Sequence, residues 1–163
     1  MQIRWRGHAS FLIEAAGKRI ITDPFNAELG YPLEPIAADL VTVSHDHWDH
    51  NAIETISGQP QIIRGTGAVR ADGIQIVGIA AYHDRNRGRE RGPNTIFKMT
   101  AEGLTVVHLG DLGHILSADQ VKEIGAVDIL LLPIGGKYTG LAFSNFTFSM
   151  ALLELTPKLV KSR

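Results

Sequence analysis

The sequence predicts an α/β domain in which two β-sheets are faced by outer helices. Three observations carry that expectation: many short apolar segments bounded by turn residues, few stretches with helical periodicity, and histidine-rich loops at strand ends. Gln2–Arg6 and Ser10–Ala15 alternate as strands, Ala16-Gly17 makes a hairpin turn, and Arg19–Thr22 returns. Asp23-Pro24-Phe25 ends that strand, because proline cannot continue a ladder. A Pro-rich connection from Tyr31 to Pro35 leads to Leu40–Val43, a short, β-branched, buried strand. Asn51–Ile56 reads as a helix. Strands follow at Gln61–Ile63, Gly73–Ala81, Thr95–Thr100 and Leu104–His108, the last two joined by a turn at Glu102-Gly103. Ser117 is placed to cap a helix with Val121 and Ile124 on one face, and Asp128–Leu132 is a buried strand stopped by Pro133. A last helix is expected over Phe146–Leu155, with Pro157 after it.

Length and composition bound the function. The 163 residues form one domain, 1–163, without repeat or linker, long enough to bury roughly two thirds of the unfolded surface. Apolar content of 44% and charged content of 20% are ordinary for a globular protein. A net charge of −1 supplies no global field toward nucleic acid or an anionic membrane. The apolar run Ala9–Ile13 is too short for a signal core, and no stretch has the ~18 apolar residues of a membrane span. Cysteine is absent, which removes disulfides and thiolate ligands and favours the cytoplasm. Any metal must be held by the seven histidines and the carboxylates.

The densest chemistry lies in Ser44-His45-Asp46-His47-Trp48-Asp49-His50, an H-x-H-x-D-H spacing directly after the strand Leu40–Val43. In extended geometry His45, His47 and Asp49 project to one side, while His50 has the opposite parity and needs a local turn to join them. Imidazole and carboxylate suit a borderline cation such as Zn2+, although Mn2+ and Fe2+ accept the same donors. One short loop thus builds two neighbouring half-sites.

Together with Gly7-His8-Ala9-Ser10-Phe11-Leu12-Ile13, Thr22-Asp23-Pro24-Phe25, Tyr82-His83-Asp84 and His108-Leu109-Gly110-Asp111-Leu112-Gly113-His114, this motif resembles the metallo-β-lactamase-fold hydrolases. The resemblance is in particular to their small bacterial branch close to the ascorbate-6-phosphate lactonase type, and it spans about residues 1–140. The resemblance implies a metallo-β-lactamase-like αββα sandwich of two mixed sheets with outer helices. It implies a first metal site of His45, His47 and His83, a second with Asp49 and His50, and Asp111 bridging the two. Relatives carry a last histidine ligand on one more strand after a Leu-x-Pro-Lys segment. Here Leu155-Thr156-Pro157-Lys158-Leu159-Val160 is followed only by Lys161-Ser162-Arg163, so the expectation is a missing last strand and a C-terminally truncated chain. The sheet edge so exposed invites association, and a homodimer is expected.

One or two bound ions would lower the pKa of water to roughly 7 and polarise an electrophile. Asp49 is the candidate catalytic group, orienting the nucleophile and carrying its proton to the leaving group. His114 is the spare imidazole that could replace the missing ligand, although a structural role is the expectation. His8 and Asp23 resemble family positions near the pocket; Asp23 is read as a partner of a ligating imidazole, His108 as packed in the sheet, and Trp48 as a packing residue. The four arginines in Arg85–Arg91 suit an anionic substrate, or are simply a solvated loop; without interleaved aromatics they do not make a nucleic-acid surface. The expected function is metal-dependent hydrolysis of a small, anionic ester or lactone. The alternatives are an impaired, non-catalytic metal-binding protein and a nucleotide phosphodiesterase.

Overall fold

The computed structural model describes residues 1–133 and the strand at 150–154. Its strands are β1 (Gln2–Gly7), β2 (Ser10–Ala15), β3 (Lys18–Thr22), β4 (Ile36–Ala37), β5 (Leu40–Val43), β6 (Ile56–Ser57), β7 (Gln61–Arg64), β8 (Gly67–Ala71), β9 (Ile74–Tyr82), β10 (Pro93–Ala101), β11 (Leu104–His108), β12 (Ile129–Pro133) and β13 (Met150–Glu154). One α-helix, α1 (Ala118–Ile124), stands among the described residues. The strands form a five-stranded sheet of order β1-β2-β3-β5-β7 and a six-stranded sheet of order β13-β12-β11-β10-β9-β8. Both sheets are mixed: β3, β5 and β7 run parallel, as do β11 and β12, and the other pairs are antiparallel. This is the α/β sandwich the sequence predicts.

The alternation of side chains explains the layering. Phe11, Ile13, Ile20 and Leu40 of the first sheet meet Ile76, Phe97, Met99 and Leu131 of the second in the central core. Each such side chain contributes about 1.5–3 kcal/mol relative to exposure. The opposite parity of β5 and its neighbours buries Leu12, Ile21, Val41 and Val43 beneath Ile36, Ala38, Ile53 and Ile56. The outer face of the second sheet, with Ile79, Ile96 and Val107, is closed by Leu112 and by Ile124 of α1. All four residues of β5 are therefore buried, as an apolar strand covered on both faces requires.

Several local expectations are corrected. Asn51–Ile56 is not a helix but a single 3-10 turn at Ile53–Thr55, after which Ile56–Ser57 pairs in parallel with Ile36–Ala37. Ile53, Thr55 and Ile56 are β-branched, and the Thr55 hydroxyl donates to the Ala52 carbonyl at 2.7 Å, which favours a turn over a helix. Within the last expected helix, Met150–Glu154 is a strand antiparallel to β12, and 146–149 and 155 lie outside the described residues. The short strands β4, β6 and β8 carried too little alternation to be read. At α1, Ser117 does cap the helix, in a reciprocal box with Gln120, but Val121 is exposed and only Ile124 is buried.

Candidate metal centre

The H-x-H-x-D-H loop leaves the end of β5 and brings its side chains to a common space at the mouth of the sandwich. The ring centroids of His45 and His47 stand 4.5 Å apart, and those of His45 and His83 4.8 Å. Ring nitrogens of His45, His47 and His83 converge within 4.8 Å of one another. The turn that brings in His50 closes with its own N–H donating to the His47 carbonyl at 3.0 Å, ahead of the 3-10 turn rather than within it. Asp49 and His50 then face a second space. Asp111 joins the two: its Oδ2 lies 3.1 Å from His83 Nε2 and 3.5 Å from His50 Nε2. The six candidate ligands are thus all brought together.

Asp23, fully buried at the end of β3, organises the imidazoles. Its Oδ1 accepts from the Ser44 backbone at 2.7 Å, and its Oδ2 accepts from Ser44 Oγ at 2.5 Å and from His50 Nδ1 at 2.9 Å. Since the Ser44 hydroxyl spends its proton on Asp23, it must accept from His45 Nδ1, 2.9 Å away. By accepting from His50 directly and from His45 through the Ser44 hydroxyl, one carboxylate holds the proton on Nδ1 of both imidazoles and turns both Nε2 atoms away from itself. His45 Nε2 is buried without a hydrogen-bond partner. A lone pair so placed fits a cation.

The loop after β11 is fitted against this arrangement. Asn94 donates to the Leu109 carbonyl at 2.9 Å and accepts from the Asp111 N–H at 3.1 Å. Gly110 has φ +56°, and a Cβ there would stand 2.4 Å from Asn94 Oδ1; a Cβ at Gly113 would stand 2.3 Å from the His83 backbone. Only glycine allows the loop to press Asp111 against His83.

The electrostatics favour positive charge in this space. Burial opposes the charges of Asp23 and Asp111, but hydrogen bonds from His50, and from His83 to Asp111, keep both carboxyls below the usual range, Asp111 well below it. Burial also opposes the charge on Asp49, but the hydrogen bond from His8 and the His50 charge bring it to about 2. Burial likewise opposes charge on His50, yet Asp111 and Asp23 lift it to about 10. His45 is pushed down to about 3, first by burial and then by the charge of His50.

His8, expected only near the pocket, stands inside it. It is 5% exposed, and its Nε2 lies 3.0 Å from His50 Nε2 and 3.2 Å from Asp49 Oδ2. Its motif was visible, but the β1–β2 turn that carries it lies 42 residues from His50, and spacing alone gave no contact. His114 does not join the centre: its Nε2 accepts from the Tyr82 N–H at 3.1 Å, so Nδ1 donates to the Ile115 carbonyl at 2.8 Å. His108 is buried and donates to the Ala9 carbonyl at 2.9 Å. Trp48 is 57% exposed rather than packed. The arginine loop is built rather than loose, because Asp84 accepts the backbone N–H groups of Asn86, Gly88, Glu90 and Arg91 at 2.7–3.1 Å.

Comparison with known proteins decides the family. The model of the beta-lactamase superfamily domain matches residues 2–160. This chain belongs to that superfamily. Within it, a UPF0173 metal-dependent hydrolase of Pyrobaculum islandicum is 32% identical over 85% of this chain and 74% of its own length. Among solved structures, a candidate zinc-dependent hydrolase of the metallo-beta-lactamase superfamily from Thermotoga maritima is 43% identical, with a TM-score of 0.71 over 84% of this chain. Igni18, a metallo hydrolase from Ignicoccus hospitalis, is 25% identical with a TM-score of 0.62. The chain spans 63% of the Thermotoga protein's length. No helix among the described residues of this beta-lactamase superfamily chain is long and apolar enough to cross a membrane.

Proposed function

We propose that the chain is a metal-dependent hydrolase acting on a small, anionic ester or lactone. A first cation would be held by His45, His47 and His83, a second by Asp49 and His50, with Asp111 between them. The carrying observation is that Asp23 fixes Nδ1–H on both His45 and His50, aiming both Nε2 atoms into a space bordered by ionised carboxylates, with the His45 lone pair free at neutral pH and that of His50 freed by loss of its proton. A bound divalent cation supplies an activated water and polarises the electrophile's oxygen. The all-nitrogen-and-oxygen donor set suits zinc first, with Mn2+ and Fe2+ as alternatives, and the zinc named for the Thermotoga relative agrees with that order.

Asp49 is the proton carrier in this reading. It is partly exposed, kept ionised by His8 and His50, and is one of the groups assigned to the second cation. A carboxylate so placed accepts a proton from the attacking water and returns it to the leaving group. Substrate charge is assigned to the arginine loop. A cleft of about 660 Å³ is lined by Tyr82, Asp84, Arg85, Arg87, His114 and Gln120, the chain neighbours of His83 on both sides among them. Asp84 holds the loop backbone in place from the floor of that cleft, so the guanidinium groups are presented from a fixed frame.

A panel of lactones and esters, each in phosphorylated and neutral form, tests this directly with zinc-, manganese- and iron-loaded protein. Metal-dependent turnover that favours the anionic members supports the proposal. Turnover confined to phosphodiesters would transfer it to nucleotide chemistry, and no turnover with fully loaded protein would leave a metal-binding protein. A cytoplasmic location and a homodimer complete the proposal; sedimentation velocity of the metal-loaded protein tests the latter.

A further inference from the structure

We infer that His8 is itself a ligand of the second cation, supplying an imidazole from the β1–β2 turn to Asp49, His50 and Asp111. This rests on the reading of the site as a metal centre and adds a donor to it. Three donor atoms set the geometry: His8 Nε2 to His50 Nε2 is 3.0 Å, His8 Nε2 to Asp49 Oδ2 is 3.2 Å, and His50 Nε2 to Asp49 Oδ2 is 3.8 Å. Two donors on a tetrahedral zinc with bonds of 2.0–2.1 Å stand about 3.3 Å apart. The observed edges bracket that value. Asp111 Oδ2, 3.5 Å from His50 Nε2, offers the fourth donor.

Hydrogen bonding alone accounts poorly for this triangle. His8 Nε2 faces an imidazole nitrogen and a carboxylate oxygen at once, and a single N–H points along only one direction. A cation at the centre satisfies all three donors together.

The backbone fixes where that imidazole stands. His8 is a non-glycine residue at φ +49°, in the left-handed region that L side chains rarely adopt. Such strain persists only where the surroundings over-determine it. Here Trp5 Nε1 donates to the His8 carbonyl at 2.9 Å, while Thr22 Oγ1 and His108 Nε2 both donate to the Ala9 carbonyl, at 3.0 and 2.9 Å. The turn is pinned from β1, β3 and β11, and the result is an imidazole held in a fixed place.

The test compares His8→Gln with His8→Glu. These side chains are isosteric, but only the carboxylate is a good ligand for a hard or borderline cation, whereas only the amide can donate a hydrogen bond to Asp49. Metal per chain is measured by elemental analysis after equilibration with Zn2+, and Co2+ absorption reports coordination of the second equivalent. His114→Gln, outside the centre, serves as the control for loading. The expected result is two ions in the unaltered chain, one in His8→Gln with the first affinity kept, and return of the second ion in His8→Glu. Equal loading of the unaltered chain and His8→Gln overturns the assignment, as does His8→Gln holding the second ion better than His8→Glu. A single ion in the unaltered chain also overturns it. Absence of any bound metal in the unaltered chain would instead overturn the metal centre as a whole. Should His8→Gln lose both ions, recovery in His8→Glu supports ligation, and failure to recover in a chain whose circular dichroism is native overturns it.

Discussion

His45 and His50 come from one seven-residue loop, their rings lie 4.2 Å apart, and both take their orientation from Asp23, yet their protonation is driven in opposite directions. His45 meets Asp23 only through the Ser44 hydroxyl, so burial dominates and the imidazole falls to about 3. His50 touches Asp23 directly and Asp111 on its other side, and burial is overcome, lifting it to about 10. One hydroxyl between carboxylate and imidazole separates a neutral donor from a cationic one. His45 therefore offers a neutral nitrogen at neutral pH, whereas His50 would have to give up a proton before holding a metal.

The largest expected break in this contrast is Asp111→Ala. The substitution removes the carboxylate shared by His83 and His50, and metal content should fall in both half-sites, read by elemental analysis. Loading that is unchanged would mean Asp111 only shapes the loop. Asp49→Ala should cost about 10²–10⁴-fold in kcat while the first-site metal is retained. Full activity on the substrate panel would remove Asp49 from catalysis.

Asp23→Asn should weaken metal binding about 10–100-fold, more at the His50 side because the contact there is direct. Equal losses in the two half-sites would contradict the distinction between direct and relayed contact. The pH response follows by sign. His50 is raised above its ordinary 6.5, so in metal-free protein its contribution to stability is complete below that value and is lost as pH rises through about 10. His45 is lowered, so its contribution is present above 6.5 and is lost as pH falls toward 3. Thermal unfolding of chelator-treated protein should show the alkaline loss, and bound zinc should remove it. The smallest effect is expected for charge reversal at Arg85 and Arg87, which should raise KM for anionic substrates and leave neutral ones unchanged. An equal change for both would dismiss the arginine loop as an anion grip.

Much of the site was legible because the chemistry is local. Strand parity put His45, His47 and Asp49 on one side and demanded a turn for His50. The strand ends at Val43, however, and the turn takes in residues 48–50, so Asp49 joins His50 and His8 while His45 and His47 join His83. The β1–β3 hairpins and β5 were equally readable, since the former are joined by tight turns and the latter is a β-branched apolar run that ends at a polar residue. What escaped the sequence was set by contacts distant along the chain. Met150–Glu154 has strong intrinsic helix formers, yet its backbone pairs with β12 and extends. His8 looked like a neighbour of the pocket, and only the packing of a strained hairpin turn against the His50 loop brings it within 3.0 Å of that ring.

Zinc titration at pH 6 and pH 8.5, with stoichiometry and proton release recorded together, tests the two unlike half-sites most directly. Two ions are predicted: one with the weaker pH dependence, and one whose affinity rises roughly tenfold per pH unit across this range as its binding releases the His50 proton. Two ions with the same pH dependence, or one ion bound without proton release, would contradict it.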